Sequence, residues 1–122
     1  MTLASIHRFK DRSLPLPAAI YLGTPWADLG KDSDTLYTME GIDRVLGTYD
    51  GMLEAAARLY AGDTDLRDPL VSPVYGDFSD FPPAYLVTGT RDMLLSDTAR
   101  VAQKMRVAGT EVSLIVFEGL SH

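Results

Sequence analysis

The sequence predicts an α/β fold, a three-stranded parallel sheet with flanking helices, and three observations carry that expectation. Short apolar runs rich in β-branched and aromatic residues occur at Ala18–Leu22, Ala84–Val87 and Val112–Phe117, and each leads within a few residues into a glycine, at Gly23, Gly89 and Gly119. Between the last two runs lies a segment with helical spacing, Ser96 to Ala108, which makes a strand–helix–strand unit whose strands must run parallel. The loops that follow the second and third runs carry an acid, Asp92, and a histidine, His122. In open α/β sheets the loops beyond the carboxyl ends of the strands hold the chemistry.

Taken in order, Leu3, Ile6 and Phe9 recur at helical spacing and predict a helix over residues 2–12, which Pro15 and Pro17 forbid from continuing. The run Ala18–Leu22 is continuously apolar, as in a strand buried on both faces, and helices are expected on both faces of the sheet. Thr24 to Ser33 reads as its exit loop. Tyr49, Met52, Leu53, Ala56, Leu59 and Tyr60 follow an i, i+3, i+4 pattern stopped by Gly62, and a shorter helix is expected around Met39 to Leu46. Residues 63–83 contain four prolines and no period of either kind, so they form a long connection across the sheet. Ser96 stands where a cap would start the last helix, with Val101, Ala102, Met105 and Ala108 as its buried stripe and Gly109 as its stop.

The bulk composition narrows the function. The 122 residues predict a single domain, and the balance of 46% hydrophobic and 23% charged residues is that of a folded globular protein rather than a disordered one. A net charge of −6 argues against nucleic acid, because phosphate binding needs clustered Lys and Arg. No apolar run approaches the roughly 20 residues of a membrane span, and no secretory signal is visible, which makes a cytoplasmic location the expectation. Zero cysteines removes disulfides, thiolate metal sites and cysteine nucleophiles together.

An acid at one strand end and a histidine at the next suit an orienting pair. The carboxylate accepts from one ring nitrogen and stabilises the imidazolium when the other nitrogen takes a proton. An acid that precedes its histidine, each after a strand, fits the second and third members of a triad in the order serine, acid, histidine. Other polar residues read more plainly: Asp97 as a first-turn acid favoured by the helix dipole, Glu118 as a solvated or ion-paired strand-end residue, Asp68 as the start of a turn. His7 reads as a surface residue with no second metal ligand nearby, Trp26 as core more than substrate wall, and Met93, Leu94 and Leu95 as packing.

Several strings are more specific: Leu14-Pro-Leu-Pro-Ala-Ala19, Pro25-Trp26 with Asp28-Leu29, Asp68-Pro-Leu-Val-Ser-Pro73, Phe81-Pro-Pro83, Gly89-Thr-Arg-Asp-Met-Leu-Leu-Ser-Asp97 and Glu118-Gly-Leu-Ser-His122. In these the chain resembles, over essentially its whole length, the C-terminal part of the hormone-sensitive-lipase-like carboxylesterases, a family of α/β-hydrolases. The resemblance implies a catalytic acid at Asp92, a catalytic histidine at His122, a small-molecule carboxylic ester as substrate, and no cofactor or metal. The family's Gly-x-Ser-x-Gly nucleophile and His-Gly-Gly-Gly-type oxyanion loop do not occur in residues 1–122. The expectation is therefore a single partial α/β-hydrolase domain, a fragment that starts just past the serine, stops on the histidine and turns over little ester alone. Its strand 18–22 is expected to present an unpaired edge, leading to a homo-oligomer or to association with an upstream fragment. The alternative is a non-catalytic oligomerising or ligand-binding α/β module.

Overall fold

Three strands, β1 (Ile20–Gly23), β2 (Ala84–Gly89) and β3 (Val112–Phe117), lie side by side in chain order and run parallel, in a computed structural model that describes residues 1–122. Ile20 pairs with Ala84, and Ala84 in turn with Val112. The register continues to Gly23 opposite Val87 and to Gly89 opposite Phe117. The first strand thus begins two residues later than the apolar run 18–22 and ends one residue beyond it. Its ladder opens where the Ile20 N–H donates to the Pro83 carbonyl at 2.8 Å, and Ala18 and Ala19 belong to the approach from Pro17. The second strand outlasts its apolar run because β3 keeps pairing it through Thr88 and Gly89.

Four helices accompany the sheet: α1 (Thr2–Asp11), α2 (Thr35–Thr38), α3 (Met52–Ala61) and α4 (Leu95–Val107), with one 3₁₀ turn at Pro73–Tyr75. The buried stripe of α1 is Leu3, Ile6 and His7, not Leu3, Ile6 and Phe9. His7 is a core residue rather than a surface one. Its ring packs against Phe78 and Phe81, Nε2 lies 3.2 Å from the Pro73 carbonyl oxygen, and burial pulls its pKa below the ordinary value. The short helix expected around residues 39–46 lies earlier, at α2, and residues 39–46 form turns. In α3 the buried face is Leu53, Ala57 and Ala61, whereas Met52, Leu59 and Tyr60 are exposed. The alanines let this helix approach Leu29 and Val71, a choice of face that counting apolar residues does not reveal.

The core joins α1 and α4 to one face of the sheet. Leu3 and Ile6 from α1 and Val101, Ala102 and Met105 from α4 share a cluster with Ile20, Leu22, Ala84 and Leu86. Leu86, Val101 and Met105 are fully buried, so truncating any one to alanine costs about 2–5 kcal/mol. The expectation of helices on both faces is not met. On the opposite face Tyr21 and Tyr85, paired in register and stacked at 6.0 Å, remain exposed together with Phe117.

Candidate active site

Asp92 sits in the tight loop between β2 and α4. The chain leaves the sheet at Gly89, and the Asp92 N–H returns to the Gly89 carbonyl at 3.2 Å to close a turn. The Asp92 side chain is fully buried, and its two oxygens accept in different directions. Thr88 Oγ1 donates to Oδ2 at 2.9 Å and the Leu94 N–H donates to Oδ1 at 2.8 Å. His122 Nδ1 lies 3.3 Å from the same Oδ1. The structure therefore brings Asp92 and His122 together, with the carboxylate pre-oriented by bonds that do not depend on the histidine.

These contacts also explain how α4 starts. Ser96 does not cap it. The helix begins at Leu95, and its free amide groups are met by the acid loop just before it and by Thr35 of α2. The Leu94 N–H goes to Asp92, the Ser96 N–H goes to Thr35 Oγ1 at 3.0 Å, and the Thr35 hydroxyl donates to the Met93 carbonyl at 2.8 Å.

His122 is carried by the segment beyond β3, which turns at Gly119 with a φ of 75°, a value suited to glycine. The Gly119 N–H donates to Thr90 Oγ1 at 2.8 Å and the Arg91 N–H to the Leu120 carbonyl at 3.0 Å, so the acid loop and the histidine loop are laced together. Gly89 is required beneath them, because a Cβ there would collide with the Leu120 backbone. Glu118 is exposed and accepts from Thr90 Oγ1 at 3.2 Å, in keeping with a solvated strand-end acid. The His122 side chain keeps 27% of its surface accessible, so its ring is held on one side and reachable on the other. The bond to Asp92 raises the pKa of His122 against the opposing effect of burial, and the charges of Asp92 and Asp43 add to the rise.

Asp43 was not anticipated. It comes from the turn region after α2 and is nearly fully buried. Its Oδ2 accepts the Met93 N–H at 2.9 Å, while Oδ1 accepts from Val45 at 2.8 Å and Leu46 at 3.2 Å. Burial favours its neutral form, but backbone N–H groups, those of Met93, Val45, Leu46 and His122, outweigh burial and hold its pKa below the usual carboxylate range. Nothing in the sequence singles it out, since Arg44, Val45 and Leu46 follow it in a stretch that reads as a short helix.

Asp97 is not the solvent-side first-turn acid that its position suggests. It is fully buried, and its Oδ2 accepts the N–H groups of Ala27 and Asp28, each at 2.8 Å, while Ser33 Oγ donates to Oδ1. Arg100 Nη1 lies 3.8 Å away and makes a 2.8 Å pair with Asp28, which Tyr75 also contacts at 2.8 Å. Burial pushes the Asp97 carboxyl up to about 6 despite these donors. The group pins the loop after β1 to α4. In that loop Trp26 is half-buried against Tyr49, Met93 and Leu94 on one side and Leu29 on the other. It also borders an apolar cavity of about 310 Å³ lined by Ala4, Leu29, Ala56, Tyr60 and Val71, so it serves both core and cavity wall. Met93 and Leu94 are plain packing. The carboxyl of Asp68 takes the Leu70 N–H at 2.8 Å in the expected turn. No three His, Asp or Glu side chains converge as metal ligands would, and no helix is long and apolar enough to cross a membrane.

A parallel sheet with an acid and a histidine on adjacent strand-end loops is the arrangement of an α/β hydrolase. The chain belongs to that family: the model for the alpha/beta hydrolase fold matches residues 1–122. Among relatives, it is 32% identical over 122 residues to an acetyl-hydrolase of Streptomyces hygroscopicus, covering 100% of this chain and 40% of that protein. Among solved structures, esterase E25 superposes with a TM-score of 0.97 at 52% identity, covering 99% of this chain and 37% of that one. A hormone-sensitive lipase from a metagenome library superposes with a TM-score of 0.92 at 30% identity, covering 99% of this chain and 41% of that one. The likeness to hormone-sensitive-lipase-like carboxylesterases holds, and the chain spans about 40% of the length of the relatives it matches.

Proposed function

We propose that residues 1–122 form a partial α/β-hydrolase domain supplying the acid and the histidine of a serine-nucleophile carboxylic-ester hydrolase. The observation that carries this reading is the 3.3 Å approach of His122 Nδ1 to a buried Asp92 Oδ1 whose orientation is independently held. In that role Asp92 keeps the proton on Nδ1, so Nε2 faces the reacting groups as a base. His122 takes the proton of the attacking serine hydroxyl, and the carbonyl carbon gains the serine oxygen to give a tetrahedral adduct. His122 then returns the proton to the departing alcohol oxygen as the C–O bond breaks. Water repeats the sequence on the acyl-serine, releasing the acid and freeing the serine. The serine and the donors for the developing oxyanion come from outside these 122 residues, since neither motif occurs within them.

The test is a hybrid in which residues 1–122 replace the matching 37% of esterase E25. Hydrolysis of p-nitrophenyl butyrate by the hybrid, lost by about 10³-fold or more in His122→Ala, supports the assignment. A hybrid that hydrolyses the ester equally well with alanine at 122 overturns it. The 122-residue chain alone is expected to turn over no faster than its His122→Ala variant.

We also propose association through the outer edge of β1, at residues 20–23 rather than 18–22, with a second copy or with a segment supplying the serine. The support is that no strand pairs this edge, where Tyr21 is exposed. Sedimentation as a monomer at micromolar concentration would count against self-association.

A further inference from the structure

The turn region 39–48 touches the acid loop and the histidine loop at matching positions. Asp43 accepts the N–H of Met93, the residue immediately after Asp92, at 2.9 Å. Its neighbour Arg44 donates its backbone N–H to the hydroxyl of Ser121, the residue immediately before His122, at 3.3 Å. Two adjacent residues, one through its side chain and one through its backbone N–H, thus hold the flanking residues of both members of the pair. The clasp is itself rigidly built. Asp43 Oδ1 takes the N–H groups of Val45 and Leu46, the Asp43 N–H goes to the Met39 carbonyl at 3.0 Å, and the Gly41 N–H goes to the Gly47 carbonyl at 2.8 Å.

We infer that Asp43 is a positioning residue of the Asp92–His122 pair, fixing Asp92 through the Met93 amide and setting the charge field at the histidine ring. The inference rests on reading Asp92 and His122 as an acid–histidine pair. A surface turn of this kind would need no acid this deeply buried. Burying a carboxylate is costly unless several donors meet it, and here the N–H groups of Met93, Val45 and Leu46 converge on it, joined by that of His122. Asp43 does not touch the imidazole, and it acts through the Met93 amide, through the backbone N–H of His122 and through space. The charged groups that act on the His122 ring are Asp92, by hydrogen bond and charge, and Asp43, by charge.

The experiment is an NMR titration of the His122 imidazole in this chain, unmodified and as Asp43→Asn and Ser121→Ala. The Asn variant keeps the size and one acceptor oxygen but removes the charge. The expected result is a folded Asp43→Asn protein whose His122 midpoint moves down from the unmodified value. The Met93 amide is expected to lose protection from hydrogen exchange. A folded Asp43→Asn protein with an unmoved His122 midpoint overturns the inference. If Asp43→Asn does not fold, Ser121→Ala decides: weakening of the Nδ1–H signal of the Asp92–His122 bond supports the clasp, and an unaltered signal overturns it. The ring is read directly, without ester turnover, so this outcome is separable from that of the hybrid enzyme.

Discussion

Thr88 and Asp92 face each other across the last turn of β2, with Thr88 Oγ1 donating to Asp92 Oδ2 at 2.9 Å, and both side chains are fully buried. A strand residue therefore orients a loop acid, and the acid does not rely on its own backbone for direction. Exchanging Thr88 for the nearly isosteric valine keeps the volume and deletes the donor. The expected loss is about 1–3 kcal/mol of unfolding free energy, the cost of a missing hydrogen bond to a buried carboxyl group. Urea denaturation of Thr88→Val beside Thr64→Val, an exposed site expected to change by about 0.5 kcal/mol or less, measures it.

Gly89 makes room for the Leu120 backbone. Gly89→Ala is expected to cost about 1–3 kcal/mol, because the obstacle is main chain rather than a side chain able to rotate away. The displaced segment includes the residues that lead into His122, so the His122–Asp92 bond should weaken as well. A Gly89→Ala protein with native urea midpoint and native imidazole signals would refute the close-packing argument.

The histidine gives stability a pH signature. Its folded pKa is raised, chiefly by the bond to Asp92, so its contribution is complete below the unfolded value of about 6.5. That contribution disappears as pH rises through the folded value. The stability difference between the unmodified chain and His122→Ala should accordingly be larger near about pH 5 than near about pH 9. Equal differences at both ends would mean that the ring gains nothing from its partner.

Asp97 acts in the same sense, in a more acidic window. Burial raises its folded pKa to about 6, above the ordinary aspartate range, so between roughly pH 4 and 6 the folded state holds a proton that the unfolded state has released. Stability from this group therefore falls as pH rises through that window. Asp97→Asn, which can still accept from Ala27 and Asp28, should flatten the slope. Denaturation midpoints taken at half-unit pH steps test this, and an unaltered slope would assign it to other carboxyl groups.

The sheet was readable because its strands are short apolar runs closed by glycine, and Asp92 and His122 because each follows such a run. What escaped was decided by partners distant in sequence. His7 is buried because Phe78 and Phe81 fold over it, and nothing in residues 1–12 discloses that. Asp97 looks like a dipole-facing acid until the loop holding Ala27, Asp28 and Ser33 is laid against it. Asp43 lies in the stretch that reads as a short helix around residues 39–46, and its meaning comes from Met93, fifty residues on. The face of α3 was misjudged because alanine marks close approach as readily as leucine marks burial.

The parallel register also orders events during folding. Joining β2 to β3 closes the chain between Ala84 and Val112, whereas joining β1 to β2 closes the span from Ile20 to Ala84, more than twice as long. Each doubling of a closed loop costs about 0.6 kcal/mol of additional chain entropy, and pairings distant in sequence form more slowly. The unit β2–α4–β3 is thus the natural nucleus, and it already contains Asp92, Thr88 and the lead into His122. The acid and the histidine would meet early, and the turn bearing Asp43 would lock over them only when the long N-terminal excursion docks.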